Sequence, residues 1–172
     1  MENSEIDVLR AAPVIRPAEP GDIDVLHQFI LDLAAVEEFP GPVRAQPHHL
    51  AEALFGPRPR AEAVVATIDG QPAGFALFYS TYSTVLGQAG IHLDDLYVRP
   101  EHRGSGLGRA LLGHLADLAV QRGCGRLEWW VLRTNEPALQ FYRRLHARAL
   151  DEIEVHRLDG DLLANLAAVQ SA

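Results

Sequence analysis

The stretch Leu93-Asp94-Asp95-Leu96-Tyr97-Val98-Arg99-Pro100-Glu101-His102-Arg103-Gly104-Ser105-Gly106-Leu107-Gly108 constrains this chain more than any other. A strand pattern runs into a loop with three glycines, and the loop runs into a long helical pattern. Glycines let backbone N–H groups approach an anion closely, and a helix N-terminus adds about half a positive charge. Arg103 and Arg109 flank the concavity. A unit of this kind is built to hold a pyrophosphate. Its spacing, Gly104-x-Gly106-x-Gly108, is one residue short of the dinucleotide fingerprint, and the Lys of a P-loop is missing. A glycine-rich turn that merely joins strand to helix is the competing reading, and the flanking strand, arginines and helix weigh against it.

The rest of the chain supplies an α/β frame for that unit. Val14-Ile15-Arg16 reads as a short edge strand between Pro13 and Pro17. Pro20-Gly21-Asp22 opens a helix with Ile23, Leu26, Phe29, Ile30 and Leu33 on one face, ending near Glu37-Glu38-Phe39. A second helix is expected from His48 to Phe55. Glu62 to Ile68 and Ala73 to Tyr79 form a hairpin about Asp69-Gly70, and Gly90 to Val98 follows as a third strand. Gly104 to Arg122 is the clearest helix, with Leu107, Leu111, Leu115 and Leu118 in one stripe. Arg126 to Leu132 then predicts a strand, Glu136 to Leu145 a helix, Ile153 to Leu158 a last strand, and a short helix follows Gly160. Hairpins first and helix–strand alternation later predict a mixed sheet with helices on both faces, in a single domain over residues 13–169 behind a loose tail, 1–12.

Bulk properties narrow the partners. The length of 172 residues suits one domain. A formal net charge of −8 argues against a nucleic-acid surface and suits a cationic substrate, as it does many cytosolic proteins. No apolar run approaches the roughly 20 residues of a membrane span, and no secretory signal is visible. A single cysteine, Cys124, points to a reducing, cytoplasmic compartment. The histidines show no metal-ligand spacing, so no metal is expected.

Arg103-Gly104-Ser105-Gly106-Leu107-Gly108 resembles the R-x-x-G-x-G/A signature of the GNAT superfamily of N-acetyltransferases, and the likeness runs from Val14 to about Leu166. Leu93-Asp94-Asp95-Leu96-Tyr97-Val98, Asn135-Glu136-Pro137-Ala138 and Phe141-Tyr142 are similar to its diamine acetyltransferase branch, which includes spermidine/spermine and thialysine enzymes. The resemblance implies a mixed, mostly antiparallel sheet, a homodimer, and acetyl transfer from acetyl-CoA to a primary amine of a small molecule: a diamine, a polyamine or a lysine-like amino acid. A protein or peptide acetyltransferase and a non-catalytic acyl-CoA-binding module are the rivals. It implies that Leu96, Tyr97 and Val98 meet the pantetheine arm and thioester, that Gly104, Ser105, Gly106, Leu107, Gly108 and Arg109 with Arg103 hold the pyrophosphate, and that Asn135 touches the cofactor. Tyr142 would be the general acid. Asp94 stands where the branch has Glu, Glu37 where it has a substrate-side carboxylate, and His146 where F-Y-x-x-x-G has Gly.

Elementary chemistry agrees with those roles. A primary amine of pKa about 10.4 must lose a proton before attacking a thioester, at a cost of roughly 4.6 kcal/mol at pH 7. A carboxylate can hold the ammonium and accept its proton through water, and a tyrosine hydroxyl can protonate the departing thiolate. Asp94 and Asp95 lie side by side in an otherwise apolar strand, which a β-bulge would explain while freeing an N–H for the thioester oxygen. For Asp95 a solvated strand end and a functional role both stand open. Trp129 and Trp130 are adjacent, so one faces the core while the other, Trp130, lines the substrate cleft.

Overall fold

The computed structural model describes residues 12–38 and 41–169. The expected loose tail falls almost wholly outside the described residues, as do Phe39 and Pro40, where the first helix was expected to run out. The chain forms two compact units, Met1–Leu132 and Arg133–Ala172.

The first unit is built on a five-stranded sheet in the order β1-β2-β3-β4-β5. Its strands are β1 (Val14–Pro17), β2 (Glu62–Ile68), β3 (Gln71–Ser83), β4 (Gln88–Val98) and β5 (Leu127–Trp129). The first three pairings are antiparallel and β4–β5 is parallel, which gives the mixed, mostly antiparallel sheet expected. The β2–β3 turn takes positive φ at both Asp69 (51°) and Gly70 (74°), the backbone that a two-residue hairpin twisted like its strands requires.

Helices cover both faces. On one side, α1 (Ile23–Val36) and α2 (Pro47–Phe55) pack Leu26, Phe29, Leu50 and Leu54 against Val65, Phe75, Leu77 and Tyr97. On the other lies α3 (Leu107–Gln121), whose Leu111 approaches Gly74 so closely that a Cβ there would meet it at 3.5 Å. The α1 start is fastened to β1 by a two-pronged ion pair, Arg16 Nη1 and Nη2 to Asp22 Oδ2 and Oδ1 at 2.6 and 2.8 Å. That bond holds the Asp22 carboxyl below the usual carboxylate range although the residue is buried.

Several expected boundaries move. The α3 helix starts at Leu107, three residues later than expected, because Gly104 and Gly106 sit at φ 74° and 90°, outside helical space. β3 runs on to Ser83, since β4 continues to pair with it beyond the end of β2. β5 is confined to three residues.

The second unit contains α4 (Glu136–Arg144) and α5 (Gly160–Ala168). At the start of α4 the Asn135 side chain accepts from the Ala138 N–H at 3.2 Å, an N-cap. At its end, Ala147 N–H donates to the Tyr142 carbonyl and His146 N–H to that of Arg143, closing a Schellman motif with His146 at φ 58°. The last strand expected, Ile153 to Leu158, is not formed: a strand exists only through a ladder, and this segment has no strand partner among the described residues.

Candidate active site

The end of β4 concentrates the chemistry. Leu77 pairs with Asp95 and Phe78 with Leu93, so Asp94 is the extra residue of a β-bulge. The Asp-Asp pair had suggested such a bulge, and its physical consequence follows. Leu93 and Leu96 both turn towards the α3 face, Asp95 joins Tyr97 on the α1 face, and Asp94 stands exposed in the kink. On its other side β4 is paired only from Ile91 to Leu93, where β5 ends at Trp129. Beyond that point the edge from 94 to 98 has no strand ladder on that side among the described residues. A splayed edge of this kind presents backbone groups to an extended ligand. The Val98 carbonyl already accepts from Arg103 Nε at 3.1 Å.

Past that edge lies the glycine loop. The N-terminus of α3 has no side-chain cap and no acidic residue in its first turn, so its leading N–H groups await an acceptor. A Cβ built on Gly104 or Gly106 would meet nothing within 4 Å, so the loop borders open space that an anion can enter. Ser105 Oγ donates to the His102 carbonyl at 2.6 Å and holds the loop in shape, and Arg109 is exposed on the first turn of α3. Uncapped donors, positive-φ glycines and exposed arginines fit a pyrophosphate. Tyr97 is placed differently from its neighbours: its ring is buried between sheet and α1, 5.2 Å from that of Phe29, with its hydroxyl donating to Asp32 Oδ2 at 3.4 Å. Only its backbone is left for a cofactor.

The acids converge. Burial pushes the Asp95 carboxyl up to about 7, and the negative charges of Asp94 and then Glu37 push in the same direction. Glu37 is the C-cap of α1, so this helix end delivers one carboxylate to the face on which β4 delivers Asp95. The sequence leaves Asp95 open and favours Asp94; in the structure it is Asp95 that lies under α1, where burial raises its carboxyl. What separates them is the bulge, which turns one carboxyl to water and the other under α1. Such a shift, from burial beside like charges at an open sheet edge, makes this carboxyl a functional-site candidate.

Further along the same face, Tyr79 pairs with His92 and His92 with Glu128, and Trp130 follows Glu128 by two positions. Trp130 is therefore the indole on the acid side of the sheet, and Trp129 turns to the other face. Burial and then the charges of Asp94 and Glu128 raise the Tyr79 hydroxyl above its ordinary value. Tyr142 and Asn135 belong to the second unit, where Tyr142 lies on α4 with its ring 5.2 Å from that of Phe141.

Comparison with known proteins gives a consistent result. Residues 29–147 match the model of the Acetyltransferase (GNAT) family. The chain is 34% identical to a thialysine N-epsilon-acetyltransferase of Sus scrofa, over 91% of this chain and 98% of that protein. It is 27% identical to an L-ornithine N5-acetyltransferase of Arabidopsis thaliana, over 87% and 85%. Among solved structures, a ribosomal-protein-alanine N-acetyltransferase from Brucella melitensis superimposes with a TM-score of 0.75 at 28% identity, covering 87% of this chain and 99% of the other.

Proposed function

The chain belongs to the GNAT acetyltransferase family and is an acetyl-CoA-dependent acyltransferase, and from that premise we propose that its acceptor is a primary amine of a diamine, a polyamine or a lysine-like amino acid. One observation carries this reading. Asp94, Asp95 and Glu37 bring three carboxylates together where the β4 edge opens, and Asp95 is held at about 7. A site of that charge collects an ammonium. The relatives named for thialysine and L-ornithine support the same class of acceptor.

In this proposal the loop from Gly104 to Gly108, with Arg103 and Arg109, holds the pyrophosphate, and backbone groups of Leu96, Tyr97 and Val98 line the pantetheine arm. The Asn135 side chain caps α4 and presents that turn to the cofactor. Asp94 accepts the ammonium proton through water, and the freed amine attacks the acetyl carbonyl, whose oxygen takes the N–H that the bulge leaves out of the ladder. Tyr142 protonates the departing thiolate. Glu37 and Asp95 hold the cation, and because protonating Asp95 removes one of those charges, amine capture weakens below about pH 7. Direct attack on a thioester calls for no metal. A cytoplasmic homodimer acting as one GNAT domain over residues 13–169 completes the proposal. The family match crosses both units. The exposed Ile153, Val155 and Leu158 offer apolar surface to a second copy. No helix among the described residues is long and apolar enough to cross a membrane, and the net charge of −8 supports a cationic partner over nucleic acid.

The pH–rate profiles of two variants test the roles. Asp94→Asn should lose turnover near neutral pH and recover much of it at higher pH, where the amine needs no base. Tyr142→Phe should lose about 10²–10⁴-fold and not recover, because free amine does nothing for the thiolate. Full turnover by Tyr142→Phe would make that ring a packing residue, and an Asp94→Asn profile without recovery would remove Asp94 as the base.

A further inference from the structure

Arg103 has two supports that a glycine loop does not itself require. Its Nε donates to the Val98 carbonyl at 3.1 Å, and its guanidinium carbon stands 5.8 Å from the centre of the Tyr97 ring. That distance is within the reach of a cation–π contact. The residue stays exposed, and neither Nη1 nor Nη2 has a hydrogen-bond partner among the described residues. This free edge of the guanidinium is the fork that can take two phosphate oxygens at once. A long side chain gives up rotamer freedom when it meets an anion, and a seat made beforehand lowers that cost.

The seat is itself held, from α1. The Tyr97 hydroxyl donates to Asp32 Oδ2 at 3.4 Å, and Gln28 Nε2, one turn earlier on the helix, donates to Asp32 Oδ1 at 2.8 Å. Burial and then the Asp32 charge raise the phenol above its ordinary value, while Arg103 and Arg99 pull the other way. The phenol therefore stays protonated and remains a donor to Asp32. A row results, with Gln28 and Asp32 on α1, Tyr97 on β4 and Arg103 before the glycine loop. Arg99 stands outside it, its Nε on the Pro72 carbonyl at 2.9 Å and its guanidinium 5.0 Å from the Phe29 ring. The sign of Asp32 makes the row informative. A carboxylate close enough to act on the same phenol as Arg103 opposes an incoming pyrophosphate by charge alone.

We propose that Asp32 and Tyr97 are positioning residues for the cofactor: Asp32 fixes the Tyr97 ring, and the ring seats Arg103 with its Nη pair free for the pyrophosphate. The inference rests on the reading of Arg103 as a pyrophosphate ligand. Neither Asp32 nor the Tyr97 side chain touches the cofactor. Both act through the arginine, so their effect on binding requires it.

The test is calorimetry with coenzyme A on Asp32→Ala, Tyr97→Leu, Arg103→Ala and the double variant Asp32→Ala with Arg103→Ala, each checked for folding by circular dichroism. Asp32→Ala and Tyr97→Leu should each weaken coenzyme A by about two- to fivefold, the size of one exposed cation–π contact. Tyr97→Phe keeps the ring and should lose less. Once Arg103 is alanine, Asp32→Ala should no longer weaken binding, because nothing is left to position. Tighter binding by Asp32→Ala alone would mean that this carboxylate acts by charge only. Weakening that persists without Arg103 would mean general damage to the fold. Either result, or an affinity that Asp32→Ala and Tyr97→Leu leave unchanged, overturns the positioning role while Arg103 keeps its own. Should Tyr97→Leu fail to fold, Asp32→Ala, at a half-buried helix position, decides by the same outcomes. Arg103→Ala that binds coenzyme A like the original protein overturns the pyrophosphate reading of Arg103 and this inference with it.

Discussion

Replacing Asp95 by asparagine keeps the shape of the side chain and removes its titration, so the pH dependence of stability isolates the environment of this carboxyl. In the folded protein the group is pushed from 3.8 to about 7. A raised carboxyl pKa means that the folded state keeps a proton that the unfolded chain releases. Asp95 therefore contributes nothing unfavourable below about pH 4, and between about 4 and 7 its contribution worsens by about 1.4 kcal/mol per pH unit. Above about 7 both states are ionised and the cost levels off. The shift of about three units gives an upper limit of about 4 kcal/mol. Urea unfolding of both proteins at half-unit steps from pH 4 to 8 measures the difference. Asp95→Asn should gain on the original protein steadily through that window and then plateau. Any cost of burying the amide is independent of pH and leaves the slope untouched. A difference that stays flat from pH 4 to 8 would refute the argument that burial and the neighbouring acids hold this carboxyl protonated.

Two further outcomes follow from backbone geometry. Gly106→Val should weaken coenzyme A binding, measured by calorimetry, because its side chain would enter the open space in front of the α3 N-terminus. Since Gly106 is at φ 90°, valine there also strains the backbone; Gly123→Val carries a like strain at φ 66°, beyond the far end of α3, and should leave the affinity unchanged. His146→Gly should stabilise the protein by about 1 kcal/mol, since a residue with a Cβ now occupies φ 58°. The melting temperature should rise by about 2–4 °C, and a fall would show that the imidazole has a role of its own.

What could be read in the sequence was local. The glycine loop, the α3 stripe and the Asp-Asp break in alternation each declare a backbone requirement within a few residues, and the structure has the loop, the helix and the bulge at those positions. What could not be read depends on pairing between distant segments. Ile153-Glu154-Val155-His156 alternates as a strand does, but alternation does not supply a partner. Tyr79, His92 and Trp130 lie in three different strands or strand ends, and only the β3–β4 and β4–β5 registers bring their rings together. The contrast between Asp94 and Asp95 likewise depends on which way the bulge turns each carboxyl. Asp94 and Glu37 were legible as candidates; that Asp95 carries the perturbed titration required the helix end of α1 to be in place above it.

In the proposed reading, the acid cluster at the end of β4 selects a small cationic amine for acetylation. Thiol release from acetyl-CoA across diamines, polyamines, lysine analogues and short peptides, repeated with a protein carrying both Asp94→Asn and Asp95→Asn, tests it most directly. Release should be driven by small amines with a second cationic end, and the double substitution should raise KM for the diamines most. Release driven by peptides alone, or a KM for diamines that does not change when both carboxylates are neutralised, would contradict it.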